Sequence, residues 1–223
     1  MTTTALSALS GEKGRLVAHA AIREAITRGD LVPAQRLVEQ ELAEQHGVTR
    51  GSVRAALIDL SAEGLVERVP HRGSRVRVVT LDEAVAITEV RMMLEGLCAA
   101  KAAARATPEE AARLRDLGGQ MRTAVESGDA NRYSQLNIQL HASVRDLGNQ
   151  PVAADLLERL NGQLVRHRFR LAQRDGRPRQ SLGEHLEIID AIASHDPDRA
   201  TRAVHAHLAS VIEALKAKSQ ELP

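Results

Sequence analysis

The 223-residue chain has almost no aromatic side chains: one tyrosine, one phenylalanine and no tryptophan. Its hydrophobic residues, 43% of the chain, must therefore build a core from leucine, valine, isoleucine and alanine, a mixture that favours packed helices. The chain has a single cysteine, Cys98, which excludes an internal disulfide framework. Because Cys98 lies in an apolar helical stretch, we expect a buried and inert thiol.

Long apolar runs are missing as well. No stretch approaches the roughly 20 residues that span a bilayer, and the first eleven residues lack the basic and apolar regions of a signal peptide. We therefore expect a cytoplasmic protein with no membrane partner. The net charge is only +1, which excludes a protein coated with basic charge. The charge is instead concentrated locally, with arginine well in excess of acids over residues 49–79.

The pattern of predicted elements changes near residue 80. Before it, three amphipathic helical patterns lead into two alternating strands at residues 65–69 and 74–79. After it, every segment is typical of a helix, about six in all, including one predicted over residues 151–171. We therefore predict a mainly α protein, with an N-terminal winged helix-turn-helix of three helices plus a β-hairpin and then an all-α helical bundle ligand domain. The predicted boundaries are a disordered tail over 1–12, the winged helix-turn-helix over 13–79, the effector-binding and dimerisation domain over 80–217, and a tail over 218–223.

A helix, a turn, a second helix and a hairpin in this order place side chains in a DNA groove. Arg50 and Arg54 lie four residues apart on the second helix, on a face opposite its apolar stripe. Arginine is the commonest specific reader of guanine in the major groove. On an arbitrary helix, two solvated charges would be the better interpretation, but the turn and the basic hairpin favour DNA contact. The candidate DNA-binding residues are Thr49, Arg50, Ser52, Arg54, His71, Arg72 and Gly73.

Polar side chains also fall on the apolar faces of three later helical patterns. Asn137 and His141 lie one turn apart, His185 lies on the stripe of another helix, and His207 lies on that of the last, whereas His205 points elsewhere. Groups of this kind facing a core cost free energy unless they find partners. A single inward histidine is usually a bonded core residue, but an amide and three imidazoles together suit a divalent metal such as zinc, nickel or manganese.

The segment over residues 31–76, with ELAEQHGVTR, SVRAAL, EGLV and the wing RG, closely resembles the winged helix-turn-helix of the GntR family of bacterial regulators. The resemblance implies that the arginines of the second helix and the wing tip contact DNA. Two positions depart from the family pattern. Ala34 follows Pro33 where glycine is usual, and Gly51-Ser52 stands where Thr-Pro is common.

The second domain is similar to the all-helical ligand domain of the FadR-type branch of that family (the FCD domain), in a short VanR-like form. That resemblance implies a metal held by Asp-x-x-x-His and two later histidines, a pattern that the four polar residues match except that Asn137 replaces the aspartate. We therefore expect weaker metal binding, or a site that an anionic effector completes. Arg91 and His167 are the candidate effector contacts, because the planar guanidinium suits a carboxylate and His167 lies on an apolar face.

These features predict a homodimeric transcriptional repressor that binds a palindromic operator in double-stranded DNA. A small-molecule effector, a carboxylate, would bind at or near the metal and shift operator affinity. The alternative is a metal-dependent helical-bundle enzyme with an accessory DNA-binding module, but no glutamate is evident on the faces that carry the ligands. A third interpretation is a scaffold that binds protein, with inward histidines bonded to one another or to water.

Overall fold

The computed structural model describes residues 8–172, 174 and 176–217, apart from the side chains of residues 168–170 and 172. The chain forms two compact units, which divide between Val79 and Thr80. A short segment from the second half of the chain, residues 161–166, belongs to the first unit. The sequence did not predict that this segment belongs to the first unit, because the apolar stripe of a helix does not identify the element that it packs against.

The first unit contains three helices and a small antiparallel sheet with strand order β1-β3-β2. Its elements are α1 (Gly11–Arg28), β1 (Arg36–Leu37), α2 (Glu39–His46), α3 (Arg50–Ala62), β2 (Val66–Val69) and β3 (Gly73–Val76). Aliphatic side chains from all three helices and the sheet, such as Ile22, Leu42, Leu57 and Val66, form one buried core. The winged helix-turn-helix therefore has the predicted elements, with β1 as an unpredicted third strand.

The predicted N-terminal tail over residues 1–12 is too long. Leu9 pairs with Val48, to which it lies parallel, and its amide donates to the carbonyl of Gly47 at 2.9 Å. The first helix then begins at Gly11. Residues 1–7 and the predicted tail over 218–223 lie outside the described residues.

Two turns in the first unit use left-handed backbone at residues other than glycine. At the wing tip, Pro70 precedes His71 with φ 60°, and the amide of Arg72 donates to the carbonyl of Val69 at 3.0 Å. That combination is a type II turn, in which glycine or asparagine usually takes the position of His71. Ala34 has φ 68°, which explains why glycine is usual there in the family pattern.

The second unit is built from helices. They are α4 (Leu81–Arg105), α5 (Pro108–Glu126), α6 (Ala130–Gly148), α7 (Pro151–Gln163), α8 (Val165–Ala172), α9 (Arg177–Ala193) and α10 (Pro197–Ala217). The end of α7 and the first two residues of α8 fall in the segment assigned to the first unit. The core is again aliphatic and packs mainly α4, α5, α6, α9 and α10 together. No described helix is both long and apolar enough to cross a membrane.

The helix predicted over residues 151–171 is broken into α7 and α8. The break falls at Leu164, whose side chain is buried and whose amide donates to the carbonyl of Asn161 at 3.2 Å. By contrast, the start of α5 matches its sequence signal: Thr107 and Glu110 form a reciprocal capping box around Pro108. Capping chemistry is local and readable from sequence, whereas the apolar pattern over residues 151–171 continues through Leu164 and gives no sign of the break.

Candidate DNA-reading surface and candidate metal centre

The recognition helix α3 begins with a cap that uses two of the predicted DNA contacts. The Thr49 hydroxyl accepts from the amide of Ser52 at 3.2 Å, and the two hydroxyl oxygens lie 3.0 Å apart. Ser52 is only 4% exposed and lies against Gly14 of α1. The prediction that Ser52 contacts DNA is therefore wrong in this structure, because its side chain faces the core of the unit. Thr49 is half-buried and keeps a partly open edge.

Arg50 and Arg54 are exposed on the outer side of α3, as predicted. The guanidinium of Arg54 donates twice to Glu39 of α2, from Nε at 3.1 Å and from Nη2 at 2.7 Å. This bond lowers the pKa of Glu39, and Arg50 and Arg68 act in the same direction from nearby. Glu39 was not anticipated, because sequence spacing does not show that α2 and α3 bring these residues together.

The wing tip carries the other predicted DNA contacts. His71, Arg72 and Gly73 are all exposed. On the neighbouring strands, Arg75 pairs with Glu67 at 2.5 Å. The structure thus leaves the tip residues open to a partner while part of the basic charge of the hairpin is neutralised internally.

In the second unit, three predicted metal ligands lie together. His141 of α6, His185 of α9 and His207 of α10 each offer one ligand atom within 4.8 Å of the others. Their ring centroids are 4.4 to 5.4 Å apart. His185 and His207 are buried and His141 is partly so. Helical periodicity placed all three on inward faces, and the packing of α6 against its neighbours brings those faces to one point.

Asn137, the fourth predicted ligand, lies one turn before His141 on α6. Among the described residues, its Oδ1 atom and the Nε2 atom of His185 are the buried side-chain polar atoms without a hydrogen-bond partner. A buried polar group without a partner costs about 1–3 kcal/mol. Both atoms belong to the predicted ligand set, and a bound metal would satisfy atoms of this kind.

The other ring nitrogen of each histidine has a partner. Nδ1 of His141 lies 2.9 Å from Glu95, and Nδ1 of His207 lies 2.7 Å from Glu184. Nδ1 of His185 lies 3.0 Å from the Tyr133 hydroxyl. None of the three partners was predicted from the sequence. The expectation that no glutamate is evident on the faces that carry the ligands is wrong for α9, where Glu184 precedes His185 and bonds His207. Glu95 falls on the buried stripe of α4, a signal that the spacing of apolar residues there contained.

Two arginines lie behind the glutamates. Arg91 donates from Nε and Nη2 to one oxygen of Glu95, at 3.0 and 2.7 Å. Arg177, which is 6% exposed, donates to Ser210 at 2.6 Å and to Glu184 at 3.3 Å. Arg91, predicted as an effector contact, is thus buried and bonded to Glu95.

Burial and charge set the protonation of this cluster. Burial lowers the pKa of His185 well below its ordinary value, and the neighbouring histidines lower it further. Burial also lowers the pKa of His207, although Glu184 opposes it. For Glu95, burial would raise the pKa, but Arg91 and His141 outweigh it and hold the pKa well below its usual range. These shifts favour the neutral form of His185 and His207 and the ionised form of Glu95, which are the protonation states that a metal site requires.

A small cavity adjoins His141. A cavity of about 10 Å³, lined by Glu95, Cys98 and His141 among others, is large enough for a water or an ion but not for a metabolite. His167, the other predicted effector contact, is half-buried on α8 and does not belong to the histidine cluster. His205 packs against Gly96 of α4, away from the cluster, as its position on the helix predicts.

A winged helix-turn-helix joined to an all-helical ligand domain defines a DNA-binding transcriptional regulator. Residues 16–76 match the family described as bacterial regulatory proteins, gntR family, and residues 86–210 match the FCD domain. The chain belongs to the GntR family and carries an FCD domain.

Relatives and solved structures agree with this assignment. The chain is 30% identical over 191 residues to a probable D-xylose utilization operon transcriptional repressor of Paenarthrobacter nicotinovorans, covering 85% of this chain and 83% of that protein. It is 27% identical over 200 residues to the HTH-type transcriptional repressor RspR of Escherichia coli (strain K12), covering 90% of this chain and 88% of that protein. The structure of E. coli McbR/YncC shares the fold, with a TM-score of 0.78 at 22% identity over 92% of this chain and 98% of that one. The predictions of a GntR regulator and not an enzyme are confirmed by these relatives.

Proposed function

We propose that this regulator is a homodimeric repressor whose FCD domain holds a divalent metal and binds a small carboxylate effector at or near it. The metal ligands are Asn137, His141, His185 and His207. The observation that carries the proposal is the meeting of three imidazoles, with His185 Nε2 and Asn137 Oδ1 buried without partners. Nitrogen and amide oxygen donors suit a zinc, nickel or manganese ion.

The charges around the site support an anionic effector. Glu95 is neutralised by Arg91 and Glu184 by Arg177, so neither carboxylate contributes a free negative charge. Asn137 adds none. A divalent ion bound here would supply a positive centre that the protein leaves uncompensated, and a carboxylate would balance it. Because the cavity beside the histidines is small, binding of an effector would require side chains to move.

Arg91 and His167 remain proposed effector contacts. Arg91 is linked to His141 through Glu95, so it lies close to the proposed metal. To hold an effector, Arg91 would exchange Glu95 for the effector's carboxylate. That exchange would couple effector binding to the surroundings of His141. His167 is supported only by its half-buried position on α8.

The DNA-reading surface is proposed to comprise Arg50, Arg54, Thr49 and the exposed wing tip. Arg50 and Arg54 would read bases in the major groove, while Thr49 and the wing residues His71, Arg72 and Gly73 would contact the backbone or the minor groove. A dimer would present two such surfaces to the two halves of a palindromic operator. A regulator of this kind would act on chromosomal DNA in the bacterial cytoplasm.

The proposed dimer interface is an apolar face on α4 and α7. Val90, Met93 and Leu97 of α4 and Val152 and Leu156 of α7 are 41% to 68% exposed. The two helices contact each other through Cys98, Ala153 and Leu157, so these exposed residues lie on adjoining helices. A cluster of large exposed side chains marks an interaction site, and a second copy would cover it.

Elemental analysis of the purified protein tests the metal proposal. We expect about one divalent ion per chain, the stoichiometry of a single four-ligand site. His207→Gln should remove most of it, while His205→Gln on the same helix, outside the cluster, should not. Wild-type protein that holds no stoichiometric metal after incubation with zinc, nickel or manganese would refute the site.

The effector and the dimer need separate experiments. Thermal unfolding with a panel of organic acids, with and without metal, should reveal a ligand that raises the midpoint only in the metal-bound protein. D-xylose, a neutral sugar, is tested beside the acids because one relative is described as a probable repressor of a D-xylose utilization operon. For the dimer, Met93→Glu should give monomers in light scattering, whereas Ile138→Glu, at an equally exposed apolar position on α6, should leave the dimer intact.

A further inference from the structure

The two histidine–glutamate contacts fix which ring nitrogen carries the proton. A carboxylate only accepts hydrogen bonds, so a neutral imidazole facing it must carry its proton on Nδ1. Glu95 therefore requires His141 to be protonated on Nδ1, and Glu184 requires the same of His207. In each ring the Nε2 lone pair is then free to bind a metal.

The two glutamates differ in how they use their oxygens. Glu95 gives one oxygen, Oε1, to Arg91 and the other, Oε2, to His141. Glu184 uses the same oxygen, Oε2, for both Arg177 and His207. Side-chain burial also differs, since Glu95 is 5% exposed and Glu184 is 17% exposed.

We infer that Glu95 and Glu184 are positioning residues that hold His141 and His207 in the Nδ1-protonated form, with Arg91 and Arg177 as their counter-charges. This inference rests on the proposed metal site for its purpose, but its geometry is that of the two contacts between Nδ1 and carboxylate themselves. Partners of this kind orient ligating histidines and raise their basicity, and their loss typically costs 10- to 100-fold in metal affinity.

Because the two glutamates use their oxygens differently, Glu95→Gln and Glu184→Gln should have different effects on the ring proton of the partner histidine. In Glu95→Gln, Arg91 can only donate, so it takes the single amide oxygen and leaves the NH₂ group facing His141. That NH₂ donates to Nδ1, and the proton of His141 moves to Nε2. In Glu184→Gln, one oxygen can still accept from both Arg177 and His207, so His207 keeps its proton on Nδ1.

Long-range proton–nitrogen NMR correlations of metal-free, ¹⁵N-labelled protein at neutral pH read these tautomers directly. The rings are assigned with His141→Gln and His207→Gln. We expect both rings protonated on Nδ1 in the wild type, His141 switched to Nε2 in Glu95→Gln, and no switch of His207 in Glu184→Gln. A His141 ring that stays protonated on Nδ1 in folded Glu95→Gln would overturn the inference.

Zinc affinity, measured by competition with a chromophoric chelator, is the second readout. The Glu95→Gln variant should bind zinc roughly 10- to 100-fold more weakly than the wild type, because the Nε2 atom of His141 then carries the proton and no longer offers a lone pair. Glu184→Gln should lose less, and Glu187→Gln, at an exposed position on α9, should match the wild type. Affinity of Glu95→Gln equal to that of Glu187→Gln would count against the positioning role.

A substitution at the buried position 95 could prevent folding, so a second variant at a less buried position tests the same inference. Glu184→Leu removes the acceptor at the less buried position and should shift His207 towards Nε2 protonation, the tautomer that a neutral histidine side chain without such a partner prefers. Circular dichroism first establishes that each variant is helical. Wild-type protein that binds no metal but shows both Nδ1-protonated rings would refute the proposed metal site and leave the positioning inference standing.

Discussion

Both units contain an arginine–glutamate pair with a nitrogen–oxygen distance of 2.7 Å, but in opposite surroundings. Arg54 and Glu39 lie on the surface of the DNA-reading unit, where 59% of the arginine side chain is exposed. Arg91 and Glu95 lie inside the FCD unit, with 8% and 5% exposed. Water screens the first pair and can replace either partner, whereas opening the second would leave a charge in apolar surroundings.

The difference separates a contact that solvent can replace from one whose exchange alters the surroundings of a proposed metal ligand. Arg54 can leave Glu39 for a base edge or a phosphate, because the glutamate is then solvated. Glu95 also bonds His141, so Arg91 cannot leave without changing the environment of a proposed metal ligand. The same two residue types therefore serve recognition in one unit and positioning in the other.

Removing the arginine from each pair should give the largest contrast. Arg91→Met leaves Glu95 buried without its counter-charge, and we expect about 3–5 kcal/mol less unfolding free energy, the usual cost of breaking a buried pair. Arg54→Met should leave stability unchanged within error. Urea unfolding of the metal-free protein, followed by helical circular dichroism, measures both.

The double variant Arg91→Met with Glu95→Gln is the control for that comparison. It removes both charges, so it should recover much of the stability lost in Arg91→Met. Equal losses in Arg91→Met and Arg54→Met would show that burial does not distinguish the pairs.

The exposed arginines should matter for DNA instead. Arg50→Ala and Arg54→Ala should each lower operator affinity roughly 5- to 150-fold, the range for losing a paired contact to a base. Fluorescence anisotropy with operator and unrelated duplexes at fixed salt measures the loss of specificity. Arg113→Ala, on an exposed side chain of the FCD unit, is the matched control. Unchanged operator affinity in both α3 variants would remove α3 from the reading surface.

Sequence patterns predicted what is encoded locally. The cap at Thr107, the stop at Gly47 and the inward faces of His141, His185 and His207 all follow from helical periodicity and capping chemistry. The order of helix, turn, helix and hairpin was enough to predict the winged domain. These features depend on neighbours within about four residues, which a sequence displays directly.

Contacts between separate elements were not predictable in the same way. Ser52 carries a side chain suited to DNA contact, but the packing of α1 against α3 buries it. Glu95 and Glu184 lie on faces that periodicity could indicate, yet their histidine partners are on other helices. A pattern shows which way a side chain points but not what it meets. For this reason the ligands were predicted and their supporting residues were missed.

The wing should have a smaller and less sequence-specific effect than α3. Arg72→Ala removes one exposed charge at the tip while leaving the turn at Pro70 and His71 in place. Affinity for operator and unrelated DNA should fall by a similar factor, and the slope of log affinity against log salt should decrease by about 1. Anisotropy titrations at several salt concentrations measure that slope. A loss confined to the operator would instead identify Arg72 as a base reader.

The smallest effect is expected for Glu39→Gln, the change that tests the exposed pair from its acidic side. The glutamine keeps the shape but can accept only one of the two bonds that Arg54 donates, and it removes a negative charge near Arg50 and Arg68. Affinity for unrelated DNA should rise roughly two- to five-fold, since one fewer acid opposes the phosphates, and the urea midpoint should not move. If operator affinity falls instead, Glu39 orients Arg54 in the complex, as Glu95 is inferred to orient His141. The two pairs would then differ in burial but share a positioning role.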